Sequence, residues 1–146
     1  MIRIESLPDT FEPPGETFET IRLPMNAVDR TRVRRRLLAP DGVELALALP
    51  TGTRLWPGQI LCSGPGKLYV VEAAPEDVLV LRPRHLREAA FAAHLIGNMH
   101  RDIDLEGEGI AALYDDALAN RLTRAGLDFT RERRPFIGSP NGEHVH

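Results

Sequence analysis

The histidines are the residues of this sequence whose type and spacing could do chemistry. The chain has 5 histidines among 146 residues, and we expect His100, His144 and His146 in loop or tail positions, where a ring nitrogen can reach a ligand. Imidazole is a good donor to divalent nickel, copper or zinc, and such ions take roughly four to six donors. A metal site therefore needs donors from distant parts of the chain or from a second copy of it.

The segment HLIGNMH, residues 94–100, does not form a local chelate. Residues six apart on a helix lie about 240° apart around its axis, and Gly97 is expected to end the helix between the two histidines. His144 and His146 differ, because residues i and i+2 of an extended tail point to the same side. These two histidines could bind one ion as a pair.

Each histidine also has a simpler interpretation. His100 could be a hydrogen-bonding loop residue, and the tail pair could be a solvated chain end or the remnant of a purification tag. His85 and His94 fit ordinary helix positions, and we do not expect either to bind metal. The candidate metal ligands are thus His100, His144 and His146, and spacing alone leaves the simpler interpretations of all three open.

A two-fold axis is the economical way to gather more nitrogen donors. If two chains meet with His100 near the axis, each contributes one imidazole to a shared ion, and a tail adds His144 or His146. Such a site is open and easily emptied. It suits the transfer of a metal better than catalysis, since catalysis needs rigid support and a shaped cavity.

Composition excludes several function classes. The net charge of -3 gives no domain the basic excess that is typical of nucleic-acid binding. The single cysteine, Cys62, excludes an intrachain disulfide, favours a cytoplasmic chain and is expected in the core. No segment approaches the roughly 18 apolar residues of a membrane span. No phosphate loop, nucleophile elbow or Ser/His/Asp arrangement is present, so we do not expect an enzyme.

The arginine-rich stretch RTRVRRR, residues 30–36, is the main competing motif. On a strand, Arg32, Arg34 and Arg36 would share one face and could contact phosphate. No aromatic platform accompanies them, and a solvated edge strand protected against aggregation is the simpler interpretation. A peptide- or RNA-binding adaptor without a metal role stays open as an alternative function.

The first half of the chain is patterned as short strands separated by turns. Strands are predicted at 2–4, 17–23, 31–38, 43–49, 59–62 and 68–73, with glycine and proline pairs between them. This spacing is typical of a small barrel or sandwich. Asp41 and Gly42 predict a tight type I′ hairpin turn. We therefore predict a small all-β domain over residues 1–75.

From about residue 76 the sequence pattern predicts helices as well as strands. We predict a strand at 77–82, a helix at 84–96 with its apolar face at 86, 89, 90, 93 and 96, a strand containing Ile103 and Leu105, a strand at 109–113, a helix at 115–124 closed by Gly126, and a strand at 127–132. This is the ferredoxin-like βαββαβ order. The protein is thus predicted to be α+β, with a ferredoxin-like domain over 76–134. A mobile, histidine-containing tail, 135–146, follows, with too little apolar content to pack.

Four segments, taken in order, resemble one known family. GTRLWPGQIL, LYVVEAAPEDVLVL, LIGNMH and RRPFIGSPNGEHVH are similar to segments of the urease accessory protein UreE family, whose members are nickel metallochaperones. The likeness extends from about residue 21 to residue 146. The AAPEDVLVL segment and the Gly-Asn-x-His motif are together fairly specific, whereas each alone is weak.

The resemblance implies both a fold and a function. It implies an N-terminal β-rich domain similar to the peptide-binding domain of Hsp40-type chaperones, and a C-terminal ferredoxin-like metal-binding domain. It implies a homodimer that pairs His100 across the C-terminal interface, with nickel(II) bound by this pair and by tail histidines. The metal would then pass through the urease accessory GTPase UreG to the urease apoprotein complex.

The sequence departs from the family pattern at several positions. The family reads Tyr-x-Leu-Gly-Asn-Arg-His, so His94 stands at the aromatic position and is not the matched ligand. Ile96 replaces the leucine of that motif, and Met99 replaces its arginine. Residues 114–116, Tyr-Asp-Asp, stand where some relatives have His-Asp-His, and some relatives end in a longer histidine run. We therefore expect a low capacity for metal.

The expected function is nickel binding and delivery for assembly of the urease metallocentre, in the cytoplasm and without catalysis. The expected partners are a second copy of the chain, UreG and the urease apoprotein, with no nucleic acid and no membrane. A zinc- or copper-binding chaperone is a second alternative, because divalent copper binds more tightly than nickel to the same donors and imidazole does not exclude zinc.

Overall fold

The computed structural model describes residues 1–9 and 18–140, and it divides the chain into two compact units, Met1–Ala73 and Ala74–His146. The elements are β1 (Ile2–Ile4), β2 (Glu19–Met25), β3 (Arg34–Leu38), β4 (Glu44–Ala48), β5 (Ile60–Gly64), β6 (Lys67–Ala73), β7 (Pro75–Leu81), α1 (Leu86–Asn98), β8 (Ile110–Leu113), α2 (Asp116–Arg124) and β9 (Thr130–Pro135). The predicted α+β class is confirmed. No helix in the described part of the chain is both long and apolar enough to cross a membrane.

The first unit consists of two three-stranded sheets around a common core. One sheet has the order β1-β4-β3 and the other β2-β6-β5. Alternate residues of β2 and β4 are buried, among them Leu23 and Leu45, and they pack with Tyr69 and Val71 of β6. The alternation of apolar and polar residues, which predicted strands, therefore also determines which face of each strand lies in the core.

The hairpin between β3 and β4 differs from the predicted type I′ turn. Gly42 has a φ of 88°, but no other residue of this turn has a positive φ. The N–H of Gly42 donates to the carbonyl of Ala39 at 2.9 Å, and the N–H of Ala39 donates to the carbonyl of Val43 at 2.8 Å. Pro40 explains the difference. A two-residue turn on Asp41 and Gly42 would need a hydrogen bond from the N–H of residue 40, which proline lacks, whereas the φ of proline fits the central position that it takes in the observed turn.

Asp41 of this hairpin holds a polar cluster against β6. Its Oδ2 accepts hydrogen bonds from the Tyr69 hydroxyl at 2.7 Å and from Lys67 Nζ at 3.0 Å. Desolvation opposes ionisation of Asp41, but the bonds from Tyr69 and Lys67 outweigh it, so the pKa of Asp41 lies below its ordinary value. Burial and the bond to Asp41 raise the pKa of Tyr69 to about 12.

Asp41→Asn should destabilise the chain at neutral pH, and the loss should shrink in acid. Folding lowers the pKa of Asp41 below its ordinary value of 3.8, so its contribution is complete above about pH 4 and is lost as pH falls further. Thermal unfolding followed by circular dichroism at several pH values measures the difference. Asp9→Asn is the control, since Asp9 is exposed. A constant difference between wild type and Asp41→Asn down to about pH 2 would contradict the assignment.

The second unit has the predicted ferredoxin-like arrangement. The sheet order is β8-β7-β9, with both pairings antiparallel, and Asp104 extends it beyond β8 through a bridge to Ala111. Residues of β7 and β8 that face the helices, such as Leu79 and Ala112, pack against Ala92 and Ile96 of α1 and Leu122 of α2. The segment at Asp104, β8, β7 and β9 thus lie side by side in that order.

The buried face of α1 is rotated from its predicted position. Leu86 is 85% exposed and Ala90 is also exposed, whereas Ala92, Leu95 and Ile96 are buried. The prediction failed because alanines occupy 89, 90, 92 and 93 and fit either side of the helix. The bulkier side chains that follow determine the orientation, since burying them removes more apolar surface from water.

Two strand boundaries in this unit also differ from prediction. The strand expected around Ile103 and Leu105 is reduced to the bridge at Asp104, because the Asp104 carboxylate accepts the N–H of Glu106 at 2.8 Å and turns the chain out of the sheet. The last strand begins at Thr130 instead of 127. Leu127 instead completes the end of α2 through its N–H. Phe136, which follows β9, is fully buried, so the expectation that residues from 135 onwards cannot pack does not hold for it.

Candidate metal-binding site

The candidate site begins at the C-terminal end of α1, where the chain reverses at His100. The N–H of His100 donates to the carbonyl of Gly97 at 2.9 Å, and the N–H of Arg101 donates to the carbonyl of Ile96 at 3.3 Å. His100 itself has a φ of 59°. These are the two hydrogen bonds and the left-handed residue of a Schellman motif. Its side chain is exposed.

The predicted helix stop at Gly97 is therefore wrong. Gly97 lies inside α1, and the reversal follows three residues later. Met99 explains the extension, because its half-buried side chain packs against the core cluster that contains Leu95 and Ile96. The apolar face of α1 thus continues past Gly97, and burial of that face outweighs the preference of glycine for the helix end.

The end of α2 can be compared with that of α1, where a histidine takes the left-handed position. There the N–H of Gly126 donates to the carbonyl of Thr123 at 3.1 Å, and that of Leu127 donates to the carbonyl of Leu122 at 3.0 Å. Gly126 has a φ of 76°. The two helices thus end in the same motif, and α2 has the glycine that the motif favours.

His100 is the sole residue other than glycine with a positive φ among residues 1–9 and 18–140. A side chain in this conformation costs about 1 kcal/mol, because Cβ approaches the backbone carbonyl. Histidine tolerates it better than most residues do, yet glycine would tolerate it without cost. Backbone strain held by its surroundings is often associated with function, and here it places an imidazole on the surface at the helix end.

The other two histidines of the described chain stabilise α1. His85 is the N-cap, and its Nδ1 accepts the N–H of Glu88 at 3.1 Å. His94 Nε2 lies 3.1 Å from the side-chain amide nitrogen of Asn98, one turn further along the helix. The expectation that His94 is an ordinary helix residue is confirmed, whereas His85 lies one residue before the helix.

An ion pair connects the reversal at His100 to the start of α2. Arg101 Nη2 lies 2.8 Å from Oδ2 of Asp115, the N-cap of α2. The other Asp115 oxygen accepts the N–H of Leu118 at 3.0 Å. The sequence placed Asp115 at the first position of the predicted helix 115–124 but gave no signal for Arg101, because the two residues are distant in sequence. Asp115 is thus engaged in structural contacts beside the candidate site.

Within the described residues of one chain, His100 provides the single imidazole at the reversal after α1. Among the described residues, no group of three or more His, Cys, Asp or Glu side chains could hold a metal ion. The predicted tail ligands His144 and His146 lie outside the described residues. Asp102 is near His100 in sequence, but its two oxygens accept the N–H groups of Ile103 and Ser139 at 2.9 and 2.6 Å. His100 therefore needs donors from elsewhere to form a metal site.

An open groove of about 450 Å³ runs along the same helix. It is lined by Phe91, His94, Leu95, Asn98, Met99 and Arg121. The Phe91 ring is 47% exposed. Helix α1, which ends just before the reversal at His100, thus presents the partly exposed Phe91 in this groove, with Met99 following it.

The arginines of the stretch 30–36 lie partly on strand β3 and partly before it. Arg34 and Arg36 share the exposed face of β3, as predicted, but Arg32 lies before the strand. Arg32 Nη1 lies 3.8 Å from the Asp29 carboxylate and Arg36 Nη1 lies 3.7 Å from that of Glu44. Nearby carboxylates thus offset part of the positive charge that an RNA or phosphate contact needs.

The single cysteine shows no sign of reactivity. Cys62 packs partly buried against the core of the first unit, as predicted. Burial raises the pKa of its thiol. A thiol that stays protonated is a poor nucleophile and a poor metal ligand, so Cys62 is a core residue.

Comparison with known proteins identifies the family. Residues 3–74 match the family model described as UreE urease accessory protein, N-terminal domain. A urease accessory protein UreE of Synechococcus sp. (strain JA-3-3Ab) is 56% identical over 131 residues, which cover 90% of this chain and 88% of the relative. The chain belongs to the UreE urease accessory protein family. A UreE of Deinococcus radiodurans is 54% identical, with 85% and 80% of the two chains covered, and one of Corynebacterium efficiens is 35% identical, with 88% and 86% covered.

His100→Gly should stabilise this UreE family member. Glycine removes the steric cost of the left-handed conformation, so the free energy of unfolding should rise by up to about 1 kcal/mol. Gly126→Ala, at the equivalent position of α2, should lower it by a similar amount, because a Cβ there meets no atom within 4 Å and adds backbone strain alone. Urea unfolding measures both. A His100→Gly chain less stable than wild type would show that the imidazole itself stabilises the fold.

Proposed function

We propose that this chain binds nickel(II) through His100 and delivers it for assembly of the urease metallocentre. The observation that carries the proposal is the exposed imidazole that is held in a left-handed conformation at the end of α1. Membership of the UreE urease accessory protein family supports the role in urease maturation. Delivery needs binding and release rather than catalysis, so the protein is proposed to act as a metallochaperone and not as an enzyme.

The donor set fits a cargo metal that is shared and then released. His100 provides one neutral nitrogen, a donor type that suits nickel. A second chain provides an equivalent His100 at a two-fold axis. His144 and His146 are the proposed additional ligands. Neutral imidazoles bind metal and protonated ones do not, so the site also releases its ion in acid. Zinc and copper are the expected competitors for the same donors.

Homodimerisation through the second unit is part of the proposal. Its support is the groove along α1, with the half-exposed Phe91 beside the helix end that carries His100. An isologous contact of this helix with its copy would cover the groove and place the two imidazoles near one axis. The dimer would associate in the cytoplasm with the GTPase UreG and the urease apoprotein. Phe18 and Trp56, which are exposed on the first unit, are suited to such protein contacts.

His100→Ala should lose high-affinity nickel binding while the fold is kept. Isothermal titration calorimetry should show an affinity lower by about tenfold or more, which corresponds to about 1.4 kcal/mol or more. His100→Gly should lose binding to the same extent although it is expected to unfold less easily, which separates metal binding from stability. Sedimentation with and without nickel measures the dimer fraction, which nickel should raise in the wild type but not in either His100 variant.

His85→Ser is the matched control. It removes an exposed imidazole from the start of the same helix, outside the groove, and keeps a side chain that can cap the helix. It should leave nickel affinity within about twofold of the wild type. Unchanged nickel binding in both His100 variants would refute the proposal. Binding to partner proteins that persists in the presence of a chelator and without nickel would favour the adaptor alternative instead.

A further inference from the structure

The outer face of the β1-β4-β3 sheet, on the side away from the core of the first unit, carries three arginines around two alanines. In the register of these strands, Ala46 of β4 lies opposite Arg3 of β1 and Arg36 of β3. Ala48 lies opposite Arg34 in the same way. Residues paired across neighbouring strands point to the same face of a sheet. These five residues are hereafter the arginine trough.

Small residues on the central strand give the arginine trough its shape. Ala46 and Ala48 form the floor, and the arginines of β1 and β3 border it. The two outer strands lie about 10 Å apart, since neighbouring strands are spaced by about 4.8 Å. An open cavity of about 320 Å³ lies here, and its lining includes Arg3, Arg36 and both alanines. The recess is thus wide enough for one extended chain that lies along β4.

The positive charges of the arginine trough are available to a ligand. Arg34 is exposed and pairs with no carboxylate among the described residues. Arg3 Nε lies 2.8 Å from the Glu5 carboxylate and Arg36 Nη1 lies 3.7 Å from that of Glu44, but these arginine side chains are 69% and 74% exposed. Ion pairs as exposed as these contribute little to stability. An incoming carboxylate can therefore replace either glutamate at little cost.

The neighbouring Arg35 is used by the fold instead. It alternates with Arg34 and Arg36 along β3, so its side chain points to the other face of the sheet. There its Nη1 lies 3.1 Å from the Asp29 carboxylate, and the side chain is 25% exposed. β3 thus directs one arginine towards its own unit and two towards solvent, in a chain whose net charge is -3.

The apolar residues of the same face favour a polypeptide ligand over a nucleic acid. Met1, which borders the cavity, is 73% exposed, and Leu38, two residues after Arg36, is 72% exposed. The described residues of this face include no aromatic side chain on which a base could stack. Arginine clusters recognise acidic motifs in proteins, and arginine is enriched in protein interfaces. The matching ligand has carboxylates for the arginines and apolar side chains for Met1 and Leu38.

We propose that the arginine trough docks an extended, acidic segment of a partner protein. The backbone of the segment lies over the two alanines, and its carboxylates pair with the arginines that border them. Its apolar side chains contact Met1 and Leu38. Docking of this kind needs no metal, so the inference goes beyond nickel binding through His100 and does not depend on it.

Binding of a short acidic peptide to the full chain tests the inference. The probe is a fluorescein-labelled Glu-Leu-Glu-Leu-Glu-Leu-Glu peptide, followed by fluorescence anisotropy with a chelator present. Its glutamates are two residues apart, as are Arg34 and Arg36, so both sets of side chains repeat at about 7 Å along an extended chain. The double variant Arg34→Ala with Arg36→Ala should bind the peptide about fivefold more weakly or worse, and added salt should weaken binding to the wild type.

Matched substitutions separate the arginine trough from the net charge of the chain. Ala46→Glu places a carboxylate between Arg3 and Arg36, where opposite charges on neighbouring strands favour the fold. It should lower peptide affinity by about tenfold or more, because it occupies the arginines and repels the glutamates of the peptide. Arg22→Ala and Thr20→Glu change the charge at exposed positions of β2, in the other sheet. Both should stay within about twofold of the wild type.

A neutral probe and an RNA probe decide the chemistry of the ligand. The peptide with glutamine in place of glutamate should bind at least about fivefold more weakly than the acidic peptide. Equal binding of the two peptides would refute the role of charge and the inference with it. Tighter binding of a single-stranded uridine oligonucleotide than of the acidic peptide, dependent on Arg34 and Arg36, would overturn the choice of a protein partner.

The remaining outcomes separate this inference from the proposed function. Equal peptide affinity of the wild type and the double arginine variant refutes the docking role. An equal loss in Arg22→Ala assigns binding to net charge and refutes it as well. Nickel affinity of the double arginine variant should match that of the wild type. Nickel binding through His100 and peptide binding by the arginine trough can therefore fail independently, and each has its own measurement.

Discussion

The left-handed reversal at the end of α1 is the constraint on which the rest of the candidate site depends. A helix that ends in this motif satisfies two of its last carbonyls and turns the chain sharply within two residues. Here the N–H groups of His100 and Arg101 make those bonds. The turn directs Arg101 to the N-cap of α2 and leads the chain into the edge segment at Asp104. The left-handed conformation of His100 thus positions its own side chain, the ion pair of Arg101 and the edge segment at Asp104.

The core of the second unit holds that reversal in place. Leu95 and Ile96 are buried and Met99 is half-buried just before the turn, so the helix end cannot shift without exposing apolar surface. Burial of side chains of this size is worth roughly 1.5 to 3 kcal/mol each, which exceeds the cost of about 1 kcal/mol for a histidine with positive φ. The strain is therefore maintained by packing. A position that glycine would occupy without cost is instead occupied by an exposed histidine.

Three carboxylates near the candidate site bind backbone N–H groups of the protein itself. Asp102, Asp104 and Asp115 each accept backbone N–H groups, and Asp115 also pairs with Arg101. The metal site proposed above would therefore rely on a nitrogen donor, which suits nickel, copper or zinc better than magnesium or calcium. A site built from single donors of several chain segments has no rigid cage. Such a site suits a protein that must give its cargo away.

The sequence by itself determined the α+β class and the βαββαβ order of the second unit, and it made His100 rather than His94 the candidate ligand. These depend on local periodicity, on turn-forming residues and on a short motif, which any one stretch of chain contains. Tertiary structure decided the orientation of α1, its end at His100 and the burial of Phe136. A run of alanines does not fix which side of a helix is buried, and a glycine marks a helix end only when packing does not extend the helix. Asp102 had no local signal either, because its partner Ser139 is 37 residues away and meets it only when the sheet has brought its two edges together.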